Sequence, residues 1–141
     1  MKEWVSLISN EIMQSNTFKY VPSGNSLTIN DYDVNNEILI LAGRVLGIAL
    51  NNNKIVNFKL SSFIWKYILE RTITIEDMKD YDEDIYNSLK YIKENDVKDM
   101  DLTFVYLKNK PLCENGDKEK VDNKNKEKYI KLILERILIN N

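Results

Sequence analysis

The sequence predicts an α+β domain that is mainly helical, with a buried central helix and two short β-hairpins. Three observations lead there: one long apolar run at residues 37–50, several segments with apolar residues at helical spacing, and two stretches where apolar residues alternate around turn residues. At 141 residues and 43% hydrophobic content, the chain is long enough to form a core. We therefore expect a folded domain and not a disordered tail.

The central run, residues 37–50, is apolar on every side, which is typical of a helix inside a core. It is shorter than a membrane span and carries Arg44 at its middle, so we expect a buried helix of a soluble domain. Gly43 and Gly47 lie four apart and predict the close approach of a second helix or a strand. Arg44 should be at least partly buried beside a carboxylate or carbonyl groups. Asp33, Asn35 and Asn36 can each cap the helix.

Before the central helix, the sequence predicts one amphipathic helix and one hairpin. Helical spacing indicates a helix at residues 3–13, with an inward stripe formed by Trp4, Leu7, Ile8 and Ile12. The hairpin alternates at Phe18 and Tyr20, turns at residues 22–25 (PSGN), and alternates again at Leu27 and Ile29.

After the central helix, we expect a short buried strand or turn at residues 54–58 and then three helices. Ser61 or Ser62 caps the first of these, whose inward residues would be Phe63, Ile64, Tyr67 and Ile68. Thr74 and Asp77 form an acidic capping box for the second. Asp82 caps the third, which should run to about Glu94.

The last part of the chain predicts a strand at residues 101–107, a return strand at residues 113–121 around an Asn115–Gly116 turn, and a helix at residues 122–140. This helix is too apolar to be covered by one short domain. We therefore expect that the chain is part of a longer protein. We also expect it to self-associate or to fray through Ile130, Leu134, Leu138 and Ile139.

Composition excludes several classes of function. Twenty basic and 22 acidic residues give a net charge of −2, which disfavours binding to nucleic acid or to an anionic membrane. The chain has no histidine and one cysteine, Cys113, so we expect no metal site, no cofactor, no histidine-activated nucleophile and no intramolecular disulfide. No secretion signal is present at the N-terminus, and we expect an intracellular protein, cytoplasmic or nuclear.

Four ordered motifs resemble the N-terminal lobe of the HECT-type ubiquitin ligase domain. They are EWVSLISNEI, GRVLGIAL, SLKYIKENDVKDMDLTF and ENGDK. The resemblance implies that residues 1–71 belong to the large subdomain and residues 72–141 form the small subdomain that docks a ubiquitin-conjugating enzyme. In the parent protein, ubiquitin would pass to a cysteine in a C-terminal lobe absent from this chain and then to a substrate lysine. The implied partners are a ubiquitin-conjugating enzyme and, through the parent protein, ubiquitin and a substrate.

The resemblance also implies which residues bind the conjugating enzyme: Ile85, Leu89, Ile92, Met100, Tyr129 and Ile133. Spacing places the first three on one side of a helix and the last two one turn apart on another. These two faces either form a shallow partner-binding groove or pack together as the core of the small subdomain. Cys113 does not match the threonine-cysteine-phenylalanine context of the family's nucleophile, so we expect an inert thiol and an inactive fragment. The alternative function is a non-catalytic helical interaction module.

Overall fold

The computed structural model describes residues 2–30, 32–107 and 110–139. These residues contain six helices and two antiparallel strand pairs, which confirms the α+β, mainly helical class. Residue contacts divide the chain into two compact units, Met1–Trp65 and Lys66–Asn141. The elements in order are α1 (Lys2–Gln14), β1 (Phe18–Tyr20), β2 (Leu27–Ile29), α2 (Asn36–Asn51), α3 (Ser62–Ile68), α4 (Ile75–Tyr81), α5 (Glu83–Glu94), β3 (Val105–Tyr106), β4 (Lys110–Pro111) and α6 (Lys126–Leu138).

The first unit has a core between α1, α2 and the β1–β2 hairpin. The predicted hairpin is confirmed, with Phe18 opposite Ile29 and Tyr20 opposite Leu27. Leu27 also forms a parallel bridge with Leu60, which ties the segment before α3 to the hairpin. The buried cluster consists of Ile12, Phe18, Leu27, Val45 and Phe58.

The predicted inward face of α1 is wrong for Trp4 and Leu7, whereas Ile12 is buried as predicted and Ile8 packs against the core. Val5, Ser9 and Ile12 are buried, whereas Trp4 is exposed and Leu7 is 67% exposed. Ser9 can be buried because its hydroxyl donates a hydrogen bond to the backbone carbonyl of Val5 one turn earlier. Apolar residues at helical spacing occur on two adjoining faces of α1, and the position of α2 selects the face that carries Val5.

Helix α2 begins as predicted, but it is not buried. The side chain of Asn35 accepts hydrogen bonds from the backbone N–H groups of Glu37 at 2.9 Å and Ile38 at 3.4 Å. Only Val45 and Ala49 of this helix are buried, and Leu50 is 69% exposed. The prediction of a fully buried central helix is therefore wrong for the described residues.

The glycine face of α2 is open as well. A Cβ atom built at Gly43 or Gly47 would meet nothing within 4 Å beyond its own helix, so the predicted close approach of another backbone is absent among the described residues. Arg44 is also exposed, and the prediction that it would be at least partly buried is wrong.

The segment after α2 differs from its prediction. Residues 54–58 form no strand, and Ile55 is 95% exposed, whereas Phe58 reaches the core. In α3, Phe63 is buried as predicted, but Tyr67 and Ile68 are exposed.

The second unit contains α4, α5, α6 and the β3–β4 pair. The predicted acidic capping box is confirmed, because the Asp77 carboxylate accepts a hydrogen bond of 2.8 Å from the backbone N–H of Thr74. The same buried carboxylate pairs with Lys66 Nζ at 2.8 Å. Asp82 caps two helices. Its backbone N–H donates to the carbonyl of Met78 at the end of α4, and its side chain accepts hydrogen bonds from the first turn of α5.

Helix α6 is covered within its own unit. The prediction that it lacks cover is wrong, because six of its apolar residues are buried. The predicted end at Asn140 lies outside the described residues. The buried residues are Tyr129, Ile130, Ile133, Leu134, Ile137 and Leu138.

The predicted second hairpin is confirmed only in part. The return strand that pairs with β3 is β4, which precedes Cys113. Residues after the Asn115–Gly116 turn meet the first segment at one antiparallel bridge, Thr103 with Lys120. Asn115 has a φ of 57°, a left-handed conformation that asparagine tolerates well in turns.

Candidate partner-binding site

Helix α5 is positioned by its N-terminal cap. The Asp82 carboxylate accepts hydrogen bonds from the backbone N–H groups of Asp84 at 3.1 Å and Ile85 at 3.2 Å, which satisfies two donors that the first turn cannot pair internally. Leu89 and Ile92 then face the interior of the unit and are buried. Ile85, one turn before Leu89, is only partly buried.

Helix α6 is positioned by an aromatic contact with the segment before β3. The rings of Phe104 and Tyr129 meet edge to face, with centroids 5.6 Å apart and planes at 89°. Phe104 is fully buried, and burial raises the pKa of the Tyr129 phenol. Lys128 Nζ lies 5.0 Å from the centroid of the Phe104 ring, on the same helix as Tyr129. The start of α6 is therefore held against Phe104 by two side chains.

Gly116 supports Phe104 by having no side chain. A Cβ at this position would lie 2.4 Å from the Phe104 carbonyl oxygen and 3.1 Å from the Cys113 carbonyl oxygen. Both atoms belong to backbone, so only glycine allows this approach. The sequence prediction identified the Asn115–Gly116 turn but not its contact with Phe104. The Asn-Gly pair of the ENGDK motif indicates the turn, but it does not indicate which backbone lies against the glycine.

Four of the six predicted partner-binding residues lie inside the second unit. Helices α5 and α6 pack against each other, and the four are each less than a tenth exposed: Leu89, Ile92, Tyr129 and Ile133. Ile85 is partly buried, and Met100 is 36% exposed. The burial of the four agrees with the core interpretation for those positions. The partner-binding role of all six residues stays a prediction.

The structure gives Tyr106 of β3 an electrostatic link to Asp82, the residue that caps α5. Partial burial raises the pKa of Tyr106, and the negative charge of Asp82 raises it further. Leu107, the next residue, is 68% exposed. The sequence prediction treated Tyr106 only as a strand residue, because nothing in the local pattern relates it to a helix that begins 23 residues earlier.

A separate cleft of about 410 Å³ lies between residues 71–75 and α6. Its apolar lining includes Ile73, Ile130 and Leu134, and Lys93 and Glu127 stand at its side. None of the six predicted residues lines it, so this cleft is not the predicted groove.

The geometry around Cys113 offers no nucleophile-base pair with histidine, since the sequence contains none. The half-buried thiol lies 3.7 Å from Glu119 Oε2, and Glu119 Oε1 lies 3.6 Å from Lys128 Nζ. Within the described ranges, no cluster of three or more histidine, cysteine or acidic side chains could hold a metal ion. No helix formed by these residues has the length and apolar character needed to cross a membrane.

A family model described as HECT-domain (ubiquitin-transferase) matches residues 6–141. The chain therefore belongs to the HECT-domain family, which is a family of ubiquitin transferases. Among its relatives, the human E3 ubiquitin-protein ligase NEDD4 is 32% identical over 154 aligned positions that cover 99% of this chain and 12% of the relative. The E3 ubiquitin-protein ligase TOM1-like of Neurospora crassa is 30% identical over 155 positions, covering 98% of this chain and 4% of the relative.

A third relative, the E3 ubiquitin-protein ligase HACE1 of Danio rerio, is 27% identical over 150 positions that cover 96% of this chain and 17% of the relative. The chain thus spans between 4% and 17% of the length of these three relatives. This match over nearly the whole chain confirms the family resemblance that the four ordered motifs indicated.

Proposed function

We propose that this chain is the part of a HECT-type ubiquitin ligase that recruits a ubiquitin-conjugating enzyme. The observation that carries the proposal is the packing of α5 against α6 in a chain that belongs to the HECT family. These two helices carry five of the six residues to which the family resemblance assigns partner contacts, and Met100 follows shortly after α5.

The burial pattern indicates how such a site would work. The buried residues of α5 and α6 set the shape of the surface, while Ile85 and Met100 supply accessible apolar contacts. Apolar side chains at the centre of an interface often carry most of its binding energy, and polar surroundings exclude water from them. Recruitment would therefore depend on a few apolar contacts and not on the net charge of −2.

Ubiquitin would pass from the conjugating enzyme to a cysteine of the parent protein outside this chain, and then to a substrate lysine. Cys113 supports this, because it lacks the family's nucleophile context and its thiol donates a hydrogen bond to the Glu119 carboxylate. In this proposal the fragment binds and orients the ubiquitin-conjugating enzyme. The parent protein is an intracellular transferase, and ubiquitin and the substrate bind to other regions of it.

The test is calorimetry of the chain with a panel of ubiquitin-conjugating enzymes, followed by the variants Met100→Ala and Ile85→Ala. We expect at least one variant to weaken binding by about 2 kcal/mol or more, as at an interface hot spot. The control is Ile55→Ala, which truncates a side chain that is 95% exposed in the first unit and should leave affinity unchanged. Unchanged affinity in both test variants, or no binding by any enzyme of the panel, would refute the proposal.

A further inference from the structure

The end of α5 and the approach to α6 are joined by hydrogen bonds from two side chains. Asn123 Nδ2 donates to Asp96 Oδ1 at 2.8 Å, and Asn123 Oδ1 accepts from the backbone N–H of Val97 at 3.2 Å. Lys126 Nζ donates to the backbone carbonyl of Asn95 at 2.7 Å. We call these five residues the α5–α6 clamp. Both polar ends of the Asn123 amide are used, which fixes its orientation.

The Asp96 side of the clamp is held in place by a local bond. Asp96 Oδ1 also accepts from the backbone N–H of Lys98 at 2.9 Å, so the carboxylate cannot turn away from Asn123 without losing two hydrogen bonds. The hydrogen bonds from Lys98 and then from Asn123 lower the pKa of Asp96, because both bonds favour the charged carboxylate. Lys126, at the first position of α6, places a positive charge at the C-terminal end of α5, where the helix dipole favours it.

The clamp reaches Met100 through Val97. The Val97 N–H donates to Asn123, and the Val97 carbonyl accepts a hydrogen bond of 3.1 Å from the backbone N–H of Met100. Val97 itself is fully buried, so its peptide groups cannot exchange these partners for water without local opening. The position of the accessible Met100 is thus coupled to Asn123, which lies 23 residues away in the sequence.

We propose that Asn123 is a positioning residue of the partner site: its amide holds Val97, and through it Met100, in the place that the conjugating enzyme recognises. This inference rests on the proposed function and concerns the geometry of the same site. The role proposed for Asn123 is to set this geometry and not to bind the partner itself. Its loss should therefore lower affinity by releasing Met100 and the ends of α5 and α6 from one fixed arrangement, which adds an ordering cost to binding.

The informative substitution is Asn123→Asp. It removes the donor to Asp96 and sets two carboxylates against each other, which should weaken binding of the conjugating enzyme about threefold, the change for one charge-assisted contact between exposed groups. The double variant Asp96→Ala/Asn123→Asp removes the facing carboxylate, while the carboxylate at position 123 still offers an acceptor to the Val97 N–H. Exchanging the two residues would not restore the pair, because Asp96 Oδ1 alone accepts from both Lys98 and Asn123. The affinity of the double variant should therefore recover above that of Asn123→Asp.

Two further measurements separate positioning from a general loss of stability. The affinity of Asn123→Asp should recover as the pH falls, because two facing carboxylates share a proton and regain a hydrogen bond, whereas the double variant should show no such recovery. Hydrogen exchange at the Val97 N–H should be faster in Asn123→Asp alone. Asn87→Ala, at an exposed position of α5, is the matched control and should bind normally.

The outcomes are distinct. If the unsubstituted chain binds no conjugating enzyme, the proposed function fails and this inference fails with it. If the unsubstituted chain binds and folded Asn123→Asp binds equally well, or the double variant does not recover, the positioning role alone is refuted. If Asn123→Asp does not fold, Asn123→Ala replaces it in the test, because this variant removes the same bonds without adding a charge; a loss of affinity of about threefold is then expected, and unchanged affinity refutes the positioning role.

Discussion

Replacing Gly43 by alanine tests the open face of α2 directly. Gly43 and Gly47 lie in the interior of a 16-residue helix, and a Cβ atom at either position would meet nothing within 4 Å beyond that helix. Glycine in a helix interior costs about 0.5–1 kcal/mol relative to alanine because its unfolded backbone is so free. Each substitution should therefore raise the free energy of unfolding by about that amount, and the pair by about 1–2 kcal/mol if the two effects add.

The assay is urea unfolding followed by circular dichroism, in which the midpoint should rise while the slope stays constant. The matched control is Gly116→Ala. Its Cβ would lie 2.4 Å from the Phe104 carbonyl oxygen, and we expect a loss of about 1–3 kcal/mol because backbone must move.

A destabilised Gly43→Ala variant would refute the reasoning, because it would mean that another backbone covers this face in solution. If the effect of the substitution depended on protein concentration, the cover would be a second copy of the chain. Sedimentation at the same concentrations would then show the corresponding increase in mass.

Three further predictions follow from burial and charge. Leu89→Ala should destabilise the chain by about 2–5 kcal/mol in denaturant unfolding, because this core side chain is 4% exposed; a folded variant of unchanged stability would contradict the observed packing. A ubiquitin-conjugating enzyme that carries ubiquitin as a thioester should transfer none of that ubiquitin to this chain. A reducible ubiquitin adduct that disappears in Cys113→Ser would show that this thiol is a nucleophile. Asp101 lies 2.8 Å from Lys120 Nζ, and their hydrogen bond lowers the pKa of Asp101 and raises that of Lys120. The contribution of this ion pair to stability should be lost as the pH falls through the folded pKa of Asp101, which lies below its usual 3.8. It should also be lost as the pH rises through the folded pKa of Lys120, which lies above its usual 10.5. The difference in melting temperature between the parent chain and Asp101→Asn should therefore vanish at both extremes of pH.

Helix starts were predictable because their determinants are local. Asn35, Thr74 and Asp82 each stand at the beginning of a helix, and the bonds that cap those helices join groups no more than three residues apart in sequence. A side chain so close to the backbone that it caps needs no information from the rest of the chain. The same holds for the β1–β2 hairpin, whose turn residues and alternating strands are contiguous.

Burial was not predictable in the same way, because it depends on distant segments. In α1, helical spacing allows a face through Leu7 or a face through Val5, and only the packing of α2 decides between them. In α6, the sequence shows an excess of apolar residues but not that α4 and α5 cover them. Conversely, α2 is apolar all round, yet Leu50 remains exposed among the described residues.

In the candidate site, the helices were predictable from the sequence, but the burial of their residues was not. The elements that carry Leu89 and Tyr129 were predicted from spacing and capping. Whether these residues form a surface or an interior was left open, and the structure places both inside their unit. The connection from Asn123 to Val97 had no sequence signal strong enough to detect, because an asparagine in a polar turn has many possible partners. The two residues are 26 positions apart, and a local sequence pattern does not indicate contacts at that separation.

The single-residue joint at Asp82 limits how the length of this region can vary. Asp82 is both the C-cap of α4 and the N-cap of α5, so no other linker residue separates the two helices. An inserted or deleted residue within the first turn of α5 would rotate every later side chain by about 100° about the helix axis. Leu89 and Ile92 would then point to solvent, and polar neighbours would enter the interior. Homologous chains should accordingly tolerate insertions in the irregular segment at residues 52–59 but keep a constant number of residues from Thr74 to Ile92.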